Sequence, residues 1–402
     1  MSEFRSRTAT VFTDPPSAKP PLWTAPFRAL WPMVLSVFIT AFLFFVLLPH
    51  FNLYQQDVAA RCGIAIILAV SLTVVNGFTG QFSIGHAGFM SIGGYAAAAM
   101  MYYGTYCWFG DINFHGGLLS WTGVRSDFSG HLLQRGDWLF LGSLLFGAIL
   151  AALIGWVVGL PSLRLRGDYL AIVTLGFCEI VRVIMQSTPA QLGLKPTDPD
   201  DVDPTQQYLG DQSLMKELSH LGGALGFSDT PTYSSAFWVA LGALLTIAFT
   251  IRLKYSSYGR AMLSIREDDI AAQAIGVNIT RLKVRAFVFS AFLAGIGGGL
   301  SALKFPGTMV ASEFGFQRSF EYVIMVVLGG MGSISGAAIA AIILTLLPEW
   351  LRSLDSYRMV IYSLLLIVMM IVRPQGLFGI REIWDYLPVR WQWWNRGARI
   401  DD

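Results

Sequence analysis

Residues 62–110 read CGIAIILAVSLTVVNGFTGQFSIGHAGFMSIGGYAAAAMMYYGTYCWFG and contain no Asp, Glu, Lys or Arg. A membrane helix needs about 20 predominantly apolar residues, so this stretch holds two such segments, divided by the polar, glycine-rich interval 76–86. Working outward, 29–56, 138–163, 230–251, 286–303 and 322–348 are also free of charge. Across all 402 residues, 54% are hydrophobic and 13% charged, against about a quarter charged in an average soluble protein. The chain is therefore expected to be an all-α integral membrane protein. Its spans fall at 31–48, 62–78, 84–103, 138–160, 168–185, 235–252, 286–303 and 357–372.

Sidedness follows from Lys and Arg in the short loops, which favour the cytoplasm. Arg252, Lys254, Arg260, Arg266, Arg281, Lys283 and Arg285 mark 253–285 and its edges as cytoplasmic, and Arg164 and Arg166 mark the turn at 161–167. Segment 187–234 holds Asp198, Asp200, Asp201, Asp203, Asp211, Glu217 and Asp229 against only Lys195 and Lys216, and reads as external, as does 104–137. Residues 1–28 form a polar tail with five prolines, too long and proline-rich for the charged start of a cleaved signal peptide. That tail and 381–402 are expected inside, flanking a membrane domain at 29–380. A ninth crossing at 319–348 would put Arg373 and Arg381 outside. Gly329-Gly330-Met331-Gly332-Ser333-Ile334-Ser335-Gly336 instead breaks it into two short halves, a re-entrant hairpin entering and leaving from outside. The expectation is thus eight helices plus one broken, glycine-rich element.

That break repeats an earlier pattern. Gly80-Gln81-Phe82-Ser83-Ile84-Gly85-His86-Ala87 and Gly330-Met331-Gly332-Ser333-Ile334-Ser335-Gly336-Ala337 share G-x-x-S-I-x-x-A. Glycine-interrupted hydrophobic segments in two halves point to a transport site. Asn76, Gln81, Ser83, His86, Ser333 and Ser335 are the candidate lining, offering amides, hydroxyls and backbone groups suited to a solute without net charge. Taken singly, each reads more simply as helix packing, and His86 as a satisfied interior histidine rather than a proton relay. Glu179 and Arg182, at i and i+3 within a span, are expected to pair on one helix face. Cys62, Cys107 and Cys178 form no disulfide framework, the histidines have no ligand spacing, and no metal site or catalytic constellation is expected. No basic patch for nucleic acid lies outside the loops.

Within 253–285, Ser264 and Glu267 fit a capping box. Glu267, Asp268 and Asp269 fill a first helical turn, where the dipole favours acids, and Gly276 fits a C-terminal stop. The pattern predicts a helix of about three turns outside the membrane. Its small residues, Ala271 and Ala272, would let a partner surface approach closely.

Here the chain resembles a family. Ala271-Ala272-x-x-x-Gly276 is similar to the coupling motif E-A-A-x-x-x-G of ABC importer permeases, with Ile270 in place of the glutamate. The segments 80–88, 258–268, 327–337 and Arg373-Pro374-Gln375-Gly376-Leu377-Phe378-Gly379 resemble branched-chain amino-acid permeases of the LivM type. The resemblance covers roughly 60–103 and 138–380. It implies a permease subunit of an ATP-driven importer in a bacterial plasma membrane, with both termini cytoplasmic. The implied partners are a second, LivH-type permease, two cytoplasmic ATPases and an extracytoplasmic solute-binding protein. It also implies that Glu267, Asp268, Asp269, Ala271, Ala272 and Gly276 form the ATPase-coupling helix. None of the six lysines follows a glycine, so there is no phosphate-binding GK[ST]. ATP and Mg are expected on the partner subunits, with no cofactor on this chain and no enzymatic activity of its own. Branched-chain or other small neutral amino acids are the expected solutes, with urea or a short amide as the alternative. An ion-coupled secondary transporter would need more intramembrane acids. A membrane enzyme would need clustered Asp, His, Ser or Cys.

Overall fold

The computed structural model describes residues 36–40, 42, 51–120, 131–162, 168–193, 195, 208–210, 213–304, 307–352, 357–372, 376, 377, 379, 382 and 383. The expected span at 31–48, the turn at 161–167, most of the acidic stretch 196–207, the motif at 373–379 and both tails lie wholly or mostly outside them.

The described chain is helical, and its only β pairings are the isolated bridges Gly193↔Tyr208 and Phe227↔Met309. Helix α1 (Leu53–Thr73) runs on through a π turn, Val74–Phe78, and α2 covers His86–Phe109. Then come α3 (Arg135–Ser162), α4 (Asp168–Gln186) and α5 (Ala236–Tyr255). Two short helices follow, α6 (Ser257–Glu267) and α7 (Asp269–Ala274), and then the long α8 (Ile279–Ala302). The last three are α9 (Phe316–Gly329), α10 (Ile334–Trp350) and α11 (Arg358–Val372). Among the described residues, five segments are long and apolar enough to cross a membrane: Leu53–Phe78, Arg135–Leu160, Tyr169–Gln186, Ala236–Tyr255 and Ile279–Ala302.

The expected spans at 84–103 and 357–372 are helical but not among those five. Helix α2 is long enough, yet its glycines, tyrosines and polar residues lower its hydropathy. It can carry them because α3, α4 and α8 sheathe it away from lipid. The close packing has a local cause. A Cβ on Gly93 of α2 would lie 2.3 Å from Gly295 Cα of α8, and one on Gly298 would lie 2.0 Å from Met90 O. Only glycine lets these backbones approach so closely. On the outside of α3, Trp138, Leu145, Phe146, Ile149, Leu153, Trp156, Val157 and Leu160 are exposed in a helical stripe. So large an apolar surface marks a lipid or partner contact rather than one facing water.

The contacts sort the loops into two ends. At one end Tyr102 Oη donates to Leu192 O at 3.0 Å, Tyr103 Oη to His220 O at 2.7 Å, and Phe227 packs edge-on against Tyr102. Phe227 and Met309 exchange backbone hydrogen bonds of 2.8 Å there. The described residues of 110–120, 131–134, 187–193, 208–210, 213–235 and 307–315 thus cap the bundle together. Segments 79–85, 256–278 and 330–333 lie at the opposite end. Helices α9 and α10 form a hairpin pinched where Gly329 meets Gly336. Its tip, Gly330 and Gly332 at φ +109° and +104°, lies with the second group of loops. Its far end returns to the first group, where Glu349 accepts a hydrogen bond from Tyr54 and Arg352 lies 5.3 Å over the Tyr54 ring. The break falls at the expected glycines, but the hairpin reaches from one end of the bundle to the other.

Candidate functional site

The two glycine breaks come together. A Cβ on Gly77 would sit 2.8 Å from Gly332 N, so the π turn closing α1 rests against the hairpin tip. Within the first break Asn76 Oδ1 accepts from Ser83 N at 3.1 Å, and Thr79 Oγ1 donates to Val75 O at 2.8 Å and lies 3.1 Å from Gln81 Oε1. His86 Nε2 lies 2.7 Å from Ser71 Oγ, whose hydroxyl lies 2.8 Å from Leu68 O. Ser290 Oγ donates to Ser71 O at 2.7 Å. Asn76, Gln81, Ser83, His86 and Ser333 are all buried, and Ser335 half-buried. Sequence reading placed these six along a pathway. In the structure each is hydrogen-bonded within its own break or to a neighbouring helix, and the two breaks pack together at one end of the bundle.

Three residues that sequence reading did not single out hold this junction. Arg266, at the end of α6, donates from one nitrogen, Nη1, to Gly77 O at 2.9 Å and to Met331 O at 3.0 Å. It thereby bridges both breaks. Lys254, at the end of α5, donates to Gly332 O at 2.8 Å and pairs with Glu382. Glu382 in turn accepts from Ile334 N and Ser335 N, each at 3.0 Å, from Ser333 Oγ at 3.1 Å and from Ser335 Oγ at 2.5 Å. It caps α10 together with Ser333, whose Oγ accepts from Gly336 N. Burial alone would raise the Glu382 carboxyl. Lys254 and the Ser335 and Ile334 donors outweigh it and hold the group below the usual carboxylate range. Arg266 was open to detection, since it continues the inward face marked by buried Met262 and Ile265. Glu382 lies 128 residues from Lys254, and nothing local signals the pairing.

The segment expected as one coupling helix is two. Ser256 caps α6 by accepting from Gly259 N at 3.1 Å, so the helix begins seven residues before Ser264. Ser264 is interior, its hydroxyl donating to Ala261 O. The chain breaks at Asp268 (φ −154°), whose carboxylate accepts from Ile270 N at 2.8 Å and Ala271 N at 3.1 Å to start α7. Ser and Asp cap about equally well; the packing of Met262 and Ile265 carries α6 through Ser264, so the Ser264–Glu267 box does not form. Gly276 takes φ +87°, as a helix stop requires. Ala272 faces inward at 2% exposure, packed with Met262, Ile265 and Leu282. It cannot be the surface a partner touches. Ile270 and Ile275 are outward instead, 80% and 76% exposed, beside the exposed Glu267, Asp268, Asp269 and Ala271. Lys283 Nζ donates to Asp269 Oδ2 at 2.9 Å and braces α7 against α8.

Glu179 and Arg182 pair as expected, Nε to Oε2 at 2.7 Å. Glu179 Oε1 also accepts from Phe316 N at 2.8 Å, tying α4 to the start of the hairpin. Among the described residues no cluster of His, Cys, Asp or Glu could hold a metal ion.

A bundle of long apolar helices around glycine-packed cores, with two broken segments meeting at one end, defines a multi-pass helical membrane protein of transporter type. Residues 55–372 match the family described as branched-chain amino acid transport system / permease component, and the chain belongs to that family. It is 34% identical over 326 residues to the high-affinity branched-chain amino acid transport system permease protein LivM of Escherichia coli (strain K12), covering 80% of this chain and 69% of that one. It is 24% identical over 361 residues to a probable branched-chain amino acid transport permease protein LivM of Methanocaldococcus jannaschii, covering 80% and 92%. It is 28% identical over 298 residues to the corresponding LivH permease of Salmonella typhimurium, covering 72% and 92%. No solved structure matches the chain.

Proposed function

We propose that this chain is one permease subunit of an ATP-driven importer of branched-chain amino acids. It would pair with a LivH-type permease, two cytoplasmic ATPases and an extracytoplasmic binding protein. The observation that carries the reading is the family match over 55–372, with relatives named for this transport. The reading favours leucine, isoleucine and valine over urea. It places 253–285 and both termini in the cytoplasm and 104–137 and 187–234 outside. Eight crossings follow, through 31–48, α1, α2, α3, α4, α5, α8 and α11, with the α9–α10 hairpin entering and leaving from outside.

The geometry suggests how ATP hydrolysis would open the path. Ile270 and Ile275, rimmed by acids, offer an apolar tip for an ATPase groove. Movement of α7 would pull α6, and with it the Arg266 guanidinium that bridges Gly77 and Met331. Releasing that bridge frees the π turn from the hairpin tip and opens the cytoplasmic end. The test is purification followed by uptake. Two ATPases should co-purify with the tagged chain, and the reconstituted complex should take up labelled leucine but not urea or a sugar. Activity of this chain alone would defeat the importer reading. Sugar uptake unaffected by leucine would defeat the amino-acid reading.

A further inference from the structure

A cavity of about 460 Å³ opens at the outer half of the bundle, between α4 and the start of the hairpin. Three carboxylates, Glu179, Glu313 and Glu321, and two guanidiniums, Arg182 and Arg318, line it with Phe316. Glu179 lies seven residues before the end of the apolar span Tyr169–Gln186, about 10 Å inside it. On the same helix Ile172, Val173, Ile180, Val183 and Ile184 are exposed. Charges at such depth face protein or a water-filled cavity, never lipid.

The pairing inside the cavity is incomplete. Arg182 holds Glu179 at 2.7 Å, and Arg318 Nη1 holds Glu321 Oε2 at 2.9 Å. Each guanidinium has five N–H donors, so both keep donors for a further acceptor. Glu313 is exposed, and its carboxylate has no hydrogen-bond partner among the described residues. Phe316 is 46% exposed and sets an apolar wall beside these charges.

We propose that this cavity is the membrane-entry site for the solute, and that it binds a free α-amino acid as its zwitterion. The proposal rests on the importer reading above. Arg318, with Arg182, receives the carboxylate. Glu313 and Glu321 receive the ammonium, and Phe316 packs against a branched apolar side chain. A simple anion would meet more carboxylates than guanidiniums, and a simple cation would leave the arginines unmatched. The cavity opens away from the Arg266 bridge, so solute bound here waits above the joined breaks.

The test uses the assembled permease–ATPase complex in lipid nanodiscs without binding protein. Gln317→Cys, in the cavity wall, is introduced together with Cys107→Ser, which removes the exposed native thiol. A membrane-impermeant methanethiosulfonate should label it from water. Leucine at ten times its dissociation constant should slow labelling about tenfold. 4-Methylpentanoate, which lacks the ammonium, and 3-methylbutylamine, which lacks the carboxylate, should slow it less than about twofold at that concentration. Arg318→Gln should abolish the leucine protection. Should that variant fail to assemble, the protection pattern on the arginine-intact protein decides alone. No labelling from water, or labelling indifferent to leucine, overturns the proposal. Leucine uptake by the unmodified complex alongside unprotected labelling removes the cavity assignment only, whereas absence of leucine uptake removes the importer reading beneath it.

Discussion

Arg266 carries the most consequence for a single side chain. Its two bonds run from a charged donor to backbone carbonyls, the one to Gly77 O part-buried and the one to Met331 O exposed; bonds to charged groups contribute about 1.5–3 kcal/mol when buried and less where water competes. Arg266→Ala removes both and leaves Gly77 O and Met331 O short of a donor. We expect the complex to assemble but to hydrolyse ATP without binding protein, so that solute stimulation falls several-fold, about as a loss of 1–2 kcal/mol of coupling would give. Stimulation at the ordinary ratio in this variant would show that the bridge is incidental. At this scale the sequence was half legible. The Glu179–Arg182 pair could be read because i,i+3 spacing on a helix fixes proximity. The Arg266 bridge and the Lys254–Glu382 pair depend on which helices meet, and no local pattern encodes that.

Among the elements, α7 shows why a motif and its role can separate. The small residues of Ala271-Ala272-x-x-x-Gly276 suggested a face shaped for a partner. The structure uses Ala272 to let α7 lie close on α6 and α8, and turns Ile270 and Ile275 outward. Two substitutions should therefore behave differently. Ala272→Arg forces a charge into a packed contact and should lower the yield of folded chain, overpacking costing about 1–3 kcal/mol before any charge is buried. Ile270→Arg should leave folding intact and weaken retention of the ATPases during purification. Equal ATPase retention by Ile270→Arg and unmodified chain would move the docking surface elsewhere. The glycine breaks were legible because a run of Gly and Ser inside apolar sequence has few other uses. The start of α7 was not, because Ser264 and Asp268 both offer caps four residues apart and only packing on Met262 and Ile265 selects between them.

For the whole molecule, the membrane character was legible from charge-free runs alone, while the enclosure of α2 was not. A helix sheathed by three others escapes the hydropathy that lipid contact demands, and sequence cannot show who its neighbours are. The two-ended arrangement of loops gives a direct test of sidedness. In a Cys107→Ser background, an impermeant thiol reagent added to intact cells should label Leu225→Cys, 90% exposed among the capping loops, and spare Gln273→Cys on α7. The reverse pattern would invert the chain and take α7 out of reach of ATP. A consequence of the Arg266 bridge extends to descent. The groups it grips are peptide carbonyls, while the Met331 side chain is 42% exposed. Drift at position 331 should thus be nearly silent among descendants of this gene. Neighbouring Gly332, held at φ +104° against Gly77 and the guanidinium, should tolerate almost nothing. Two adjacent codons would then evolve at very different rates although they serve the same junction.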